Sequence, residues 1–277
     1  MRADCHCHTL FSDGSLSPTA LLDLAKEKQL TGLCITDHDT IAAYESALPY
    51  AKSLGIDLVS GIEISTEHNS ASVHVLGYAF DLNNPAFLIF CEEQQQKRHD
   101  RNMKILAKLE HYKVPVTWAE LEQRFPDHHS IGRPHIATIM VEKGYVPSMQ
   151  HAFKLYLGDK SRAYVKGGLI SVQTGIDIIH EAGGFAVIAH PHYLQPPRTI
   201  HALSEMNFDG IEVHYGKALP ATEKPWLDLA KKKNWFVTGG SDFHGEKLAH
   251  HPLGCSWTPP ENFELFKARF ASHPLVQ

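Results

Sequence analysis

The sequence predicts an α/β fold in which about seven strands form a closed or nearly closed β/α barrel, split by an all-helical insertion. Three observations predict it. Over residues 1–83 short apolar runs alternate with helical patterns, which means βα units and a largely parallel sheet. From Asn84 to about Tyr164 helical signals dominate and no clear strand is present. The alternation then resumes and runs to Gly239. The barrel is therefore assigned to residues 1–83 and 166–277, and the insertion to 84–165.

Arg2 to His8 reads as the first strand. Ser17-Pro18 opens a helix, because Ser caps and Pro at the first helical position forfeits no hydrogen bond. Leu21, Leu22, Leu24 and Ala25 give that helix its apolar face. Strands follow at Gly32–Thr36, Asp57–Ile64 and Val73–Phe80, with a helix over Ala42–Leu54 stopped by Gly55. In the insertion, Glu92–Glu110 has helical periodicity, and Thr117-Trp118-Ala119-Glu120 has the form of a capping box. Pro134–Lys143 and Ser148–Leu157 both end at a glycine. Afterwards come a helix over Val172–Glu181, a strand at Phe185–Ala189, a helix over Thr199–Met206, a strand at Ile211–His214, a helix over Glu223–Lys233 and a strand at Trp235–Gly239.

Composition narrows the function. The 277 residues are 43% hydrophobic and 21% charged, ordinary for a globular protein. A net charge of −5 supplies no basic field for long nucleic acid. No apolar stretch reaches membrane-spanning length, and Met1-Arg2-Ala3-Asp4 runs directly into a motif with no room for a signal peptide. Five scattered cysteines suit reduced thiols in a cytoplasmic protein. Seven of the twenty histidines, His99, His111, His128, His129, His151, His250 and His251, stand in polar or loop-like surroundings and read as surface residues.

Nine residues of metal-binding type recur at or near strands: His6, His8, Asp13, His38, Glu63, His74, His190, Asp242 and His244. His6 and His8 are two apart on a strand, so both imidazoles point to one face and Cys5 and Cys7 to the other. His38, Glu63, His190 and the Asp242–His244 pair lie near strand ends, where polar residues point into the mouth of an α/β barrel. Imidazole plus carboxylate suits Mn, Fe or Zn over Cu(I), Ca or Mg. A catalytic ion takes about three protein ligands, so nine donors imply two or three ions. Glu63 is the best bridging candidate, since a carboxylate can bind two ions through two oxygens.

The motifs Asp4-Cys5-His6-Cys7-His8, Phe11-Ser12-Asp13-Gly14, Thr36-Asp37-His38-Asp39, Gly61-Ile62-Glu63, His74-Val75-Leu76-Gly77-Tyr78, Ala189-His190-Pro191 and Gly240-Ser241-Asp242-Phe243-His244 resemble those of the PHP (polymerase and histidinol phosphatase) family, in its order. The resemblance is strongest to a stand-alone subgroup of nucleoside 3′,5′-bisphosphate phosphatases and 5′→3′ exoribonucleases of short RNA. It implies a distorted seven-stranded, TIM-like barrel whose insertion covers the mouth as a lid and supplies part of the substrate pocket. It also implies three ion sites: His6, His8, Glu63 and Asp242; Glu63, His74 and His190; and Asp13, His38 and His244. Asp4, Asp37 and Asp39 fit roles orienting imidazoles, and Asp37 joins Glu63 among the catalytic candidates.

Such a cluster is suited to phosphate ester hydrolysis by a metal-bound hydroxide, without a covalent intermediate. The resemblance also assigns Arg133 and His135 of Gly132-Arg133-Pro134-His135 to a substrate phosphate. One departure is local. The subgroup follows Ala-His-Pro with a small residue and then Arg-Tyr, whereas His192, Tyr193 and Leu194 stand here. Arg198 and His192 are the candidates to replace the absent Arg, His192 also as a general acid. The leading expectation is a phosphatase of a small nucleotide of the nucleoside 3′,5′-bisphosphate type. The alternatives are a 5′→3′ exoribonuclease of short RNA, a histidinol-phosphate phosphatase, and a metal-stabilised scaffold without activity.

Overall fold

A computed structural model of the chain describes residues 1–69, 71–128, 130–158, 161–165, 169–194, 198–245 and 251–274, the side chain of Arg198 excepted. The elements in chain order are β1 (Ala3–Cys7), α1 (Pro18–Glu27), β2 (Gly32–Ile35), α2 (Tyr44–Leu54), β3 (Asp57–His68), β4 (Ala71–Tyr78), α3 (Pro85–His111), α4 (Trp118–Arg124), α5 (Arg133–Glu142) and α6 (Met149–Ala152), which runs into a π turn at Phe153–Leu157. Then follow β5 (Ile170–Ser171), α7 (Val172–Glu181), β6 (Phe185–Ile188), a 3-10 turn at Pro191–Tyr193, α8 (Arg198–Leu203), β7 (Gly210–Tyr215), α9 (Pro220–Lys233), β8 (Phe236–Gly240) and α10 (Pro260–Phe270).

Local chemistry starts α1 and α4 and stops α2 where the sequence predicts, whereas α3 begins at Pro85, ahead of the expected Glu92. Ser17 Oγ accepts from Ala20 N at 3.2 Å. Thr117 and Glu120 form a reciprocal capping box at the start of α4. Gly55 takes the left-handed conformation, φ +68°, that stops α2.

The strands order as β1-β2-β3-β4-β6-β7-β8, a sheet nearly closed into a barrel and surrounded by helices, with β5 a short addition beside β3. The sheet is mixed. β4 is antiparallel to both β3 and β6, so the expectation of a largely parallel sheet misses one strand. The reason lies in chain length: only Asn69 and Ser70 separate β3 from β4, too few for a crossover helix. Closure falls to the segment after β8, where Asp242 N donates to His6 O at 2.7 Å and His8 N to Phe243 O at 2.9 Å.

Side-chain alternation divides the barrel's apolar residues into two clusters. Leu33 and Ile35 of β2 pack with Leu21 and Leu22 of α1, while Cys34 between them joins Cys5, Val59, Tyr78 and Val187 in the other cluster. That second cluster is completed by Phe263 and Phe266 of α10, a helix the sequence reading does not anticipate. Its signals are weak: Pro260 at the first position and phenylalanines at 263, 266 and 270. Gly32 lies against it; a Cβ there would come within 2.4 Å of the Phe263 ring. Phe263→Ala is expected to destabilise the barrel by about 3–5 kcal/mol, read from the urea midpoint at unchanged slope. A loss under about 1 kcal/mol would mean that α10 is peripheral.

The chain divides into two compact units, residues 1–91 with 169–277 and residues 92–168. The division runs through α3, because Phe87, Phe90 and Cys91 at its start pack in the barrel's core. The second unit has its own core around Ile105, Leu109, Leu121, Ile136, Met140 and Leu157. No described helix is long and apolar enough to cross a membrane.

Candidate metal centre

Six strands of the barrel and the loops that follow them deliver the nine residues. His6 lies in β1 and His8 just beyond it, with Asp13 in the following loop. His38 follows β2, Glu63 lies in β3, His190 follows β6, and Asp242 and His244 follow β8. His74 comes from the first half of β4, which the antiparallel course brings to the same end of the barrel. A register irregularity between Asp4 and Cys7 in β1 re-aims the chain beside His6.

Three non-glycine residues here hold positive φ: Asp39 (58°), His190 (26°) and Asp242 (53°). Such strain persists only where surrounding bonds over-determine it. Asp39 N donates to Glu63 O at 3.0 Å and Asp242 N to His6 O at 2.7 Å. His190 N donates to Glu212 Oε2 at 2.8 Å. At Gly240 a Cβ would stand 2.4 Å from His6 N, so only glycine lets β8 approach β1 this closely.

Glu63 is the hub. Its Oε1 lies 2.6 Å from His74 Nδ1 and 3.0 Å from His190 Nε2. Its Oε2 lies 3.3 Å from His6 Nε2, 3.2 Å from His8 Nε2 and 3.4 Å from His38 Nδ1. Asp242 Oδ1 faces both His6 Nε2 and His8 Nε2 at 3.2 Å. Asp13 lies 3.2 Å from His244 Nε2 and 3.8 Å from His38 Nε2. Three sets have donor atoms within 4.8 Å of one another: His6, His8, Glu63 and Asp242; His8, Asp13, His38 and His244; and His38, Glu63 and His74.

The donor chemistry fits divalent cations. His6 Nδ1 lies 2.8 Å from Glu212 Oε1, and a carboxylate only accepts, so Nδ1 carries a hydrogen and Nε2 is the nitrogen turned toward the cluster. His244 Nδ1 lies 2.9 Å from the Asp242 carbonyl, with the same consequence. Ser12 Oγ donates to Asp37 Oδ1 at 2.6 Å, which leaves it to accept from His8 Nδ1 at 3.3 Å. Three imidazole nitrogens, Nε2 of His6, His8 and His244, thus face carboxylate oxygens 3.2 Å away, where a proton or a metal ion between them supplies the positive charge the carboxylates require. A point equidistant from four atoms at such spacing lies roughly 2.0–2.3 Å from each, close to the bond lengths of zinc to nitrogen and oxygen.

The local field keeps the carboxylates charged. Burial alone would push Glu63 up, but the imidazoles of His38, His74 and His6 hold it well below the usual carboxylate range. Burial opposes ionisation of Asp242 as well; His6, His244 and His8 outweigh it and lower its pKa. The same balance, with His244, His38 and His8, lowers Asp13. For His6 burial disfavours the cation, yet Glu212, Asp242 and Glu63 raise its pKa well above the ordinary value, so the site demands positive charge.

Among the described residues, Asp37, Asp4, Asp39 and His192 contribute no atom to these three sets. Asp37 accepts from Thr9 N at 2.7 Å, Thr9 Oγ1 at 2.6 Å and Ser12 Oγ at 2.6 Å, and reaches His8 through Ser12. Asp4 accepts from the backbone amides of His6, Ser241 and Gly254, and Asp39 from Ser65 N. His192 lies on the 3-10 turn, its ring centroid 6.0 Å from Tyr215 and 5.8 Å from Trp226; burial lowers its pKa. Arg133 and His135 belong to the second unit. Arg133 Nη1 donates to Leu157 O at 3.1 Å, and His135 Nδ1 accepts from Gly132 N at 2.9 Å, capping α5. Arg198 opens α8, but its side chain, like His129 and His250, lies outside the described residues. His251, expected at the surface, is partly buried, with Nδ1 2.8 Å from Ser241 O.

Two residues were not singled out from the sequence. Glu212 is fully buried in β7 and holds both His6 and the His190 backbone. Its sequence signal is one carboxylate inside the apolar run Ile211-Glu212-Val213. Tyr215, at the end of the same strand, donates its hydroxyl to Asp242 Oδ2 at 2.5 Å.

The comparisons agree with this geometry. The PHP domain model matches residues 4–155. The 5′-3′ exoribonuclease Rnm of Escherichia coli is 34% identical over 87% of this chain and 84% of its own length. The 3′,5′-nucleoside bisphosphate phosphatase of Chromobacterium violaceum is 29% identical over 87% of this chain and 86% of its length. The crystal structure of a protein from Bifidobacterium adolescentis described as a metal-dependent phosphoesterase superposes with a TM-score of 0.86 at 29% identity, covering 96% of each chain. Barrel, clustered donors and relatives together place this chain in the PHP family, as a metal-dependent phosphoesterase.

Proposed function

We propose that the substrate is a nucleotide phosphoester, and first of all the 5′ end of a short oligoribonucleotide. The observation that carries the chemistry is the hub: one buried carboxylate, Glu63, met by nitrogens of five imidazoles at 2.6–3.4 Å. Two or three divalent ions bound there supply Lewis acidity and lower the pKa of a water toward neutrality. The imidazole–carboxylate donor set favours manganese, with iron and zinc next. Asp37 holds His8 through Ser12, and Glu212 holds His6, so the donors are oriented before substrate arrives. The resemblance assigns Arg133 and His135 to a substrate phosphate, with Arg198 the candidate to replace the Arg absent after Pro191. Short RNA is favoured by the 34% identity to an exoribonuclease over 84% of that protein. The nucleoside 3′,5′-bisphosphate reading stands second, supported by the phosphatase relative matched over the same share of this chain. Five free cysteines, four of them buried, suit a reducing cytoplasm.

The test compares three substrates on Mn²⁺-loaded protein: a 5′-phosphorylated oligoribonucleotide, a nucleoside 3′,5′-bisphosphate and histidinol phosphate. Release of mononucleotides from the first is the expected result. Phosphate from the bisphosphate alone would favour the second reading. Turnover of histidinol phosphate alone would sink both.

A further inference from the structure

Beside the cluster the barrel has a cavity of about 520 Å³, lined by His192, Tyr193, Tyr215, Lys217, Trp226 and His251 among others. Tyr215 is common to both: its hydroxyl bonds Asp242, its ring lies 5.7 Å from His190, and it forms part of the cavity wall. Tyr193 also joins the two, its centroid 6.0 Å from His190 and 5.5 Å from Tyr215.

We propose that this cavity is a base subsite, which takes the nucleobase of the nucleotide whose phosphate lies at the cluster. The inference deepens the nucleotide reading above and rests on it. Five features point to this ligand. The walls are aromatic, with Tyr193, Tyr215 and Trp226 offering faces and edges on which a base stacks. Tyr193 is 63% exposed, more than folding requires of a large ring, and it stands at the cavity. Both His192 ring nitrogens are buried without a hydrogen-bond partner among the described residues, and buried polar groups seldom stay so. The polar edge of a base carries the donors and acceptors that would satisfy them. Lys217 adds one cation for the polyanionic backbone. The volume falls within the range of small-ligand sites, about 300–1,000 Å³.

The experiment measures equilibrium binding of a nucleoside 5′-monophosphate and of ribose 5-phosphate to the full-length Mn²⁺-loaded protein. Wild type is expected to bind the nucleotide about 5- to 100-fold more tightly, the worth of one stacked base. Tyr193→Ala is expected to lose most of that preference and Tyr193→Phe to keep it, while both bind ribose 5-phosphate as wild type does. Equal binding of the two ligands by wild type, or a preference undiminished in Tyr193→Ala, would overturn the subsite. Phosphate release is followed in parallel. Base-dependent binding without turnover of any nucleotide would sink the hydrolytic reading and leave the subsite standing; turnover indifferent to the base would do the reverse.

Discussion

Glu63→Gln is expected to lower kcat/KM on the preferred substrate by more than about 100-fold and to remove at least one equivalent of bound metal. The magnitude follows from position. Loss of a partner that merely orients a metal ligand typically costs about 10- to 100-fold, and Glu63 is itself within 3.4 Å of nitrogens from five imidazoles. Gln keeps the side-chain size but replaces one acceptor oxygen by an NH₂, and it removes the charge that the surrounding imidazoles hold ionised. Five imidazoles then face a neutral amide, and their shared attraction for cations falls. Elemental analysis and steady-state kinetics on the same preparation read both effects. Far-UV circular dichroism separates them from misfolding, because Ile62 and Ile64 on either side of Glu63 still pack in the core. Full metal content with a wild-type rate would show that the hub has no such role.

The second large effect belongs to Glu212→Gln, expected to weaken metal affinity about 10- to 100-fold without unfolding the barrel. Glu212 uses its two oxygens separately, one for His6 Nδ1 and one for the His190 backbone N–H, both at 2.8 Å. Gln has one acceptor oxygen, so one of these donors would meet an NH₂. If His6 loses its partner, its tautomer is no longer fixed and Nε2 is no longer held toward the cluster. If His190 loses its partner, the strained backbone at φ 26° loses its tether. Competition titration with a chelating indicator measures the affinity directly, apart from any rate. Restoration of the rate at saturating Mn²⁺ would identify Glu212 as a positioning residue. Unchanged affinity would leave it as a buried structural acid.

The clustered imidazoles and carboxylates were legible because each belongs to a short motif at or near a strand, and strand ends of a β/α barrel converge. The strand count and the helical insertion were legible from periodicity. Glu212 was not, because a single carboxylate in an apolar strand is indistinguishable by pattern from a surface position on an edge. α10 was missed for the opposite reason: its phenylalanines at 263, 266 and 270 are spaced as on any amphipathic helix, with nothing local to say what they cover.

The sequence by itself determined the donor types, and so the metal chemistry, together with the order of strands and helices. These depend on residue identity and on spacings of two to four residues, which local physics decides. Only the tertiary structure decided that Glu212 fixes the orientation of His6 and that Tyr215 joins the cluster to an aromatic cavity. Each of these is a contact between elements far apart in the chain, set by how the sheet closes on itself, and no short-range pattern encodes it.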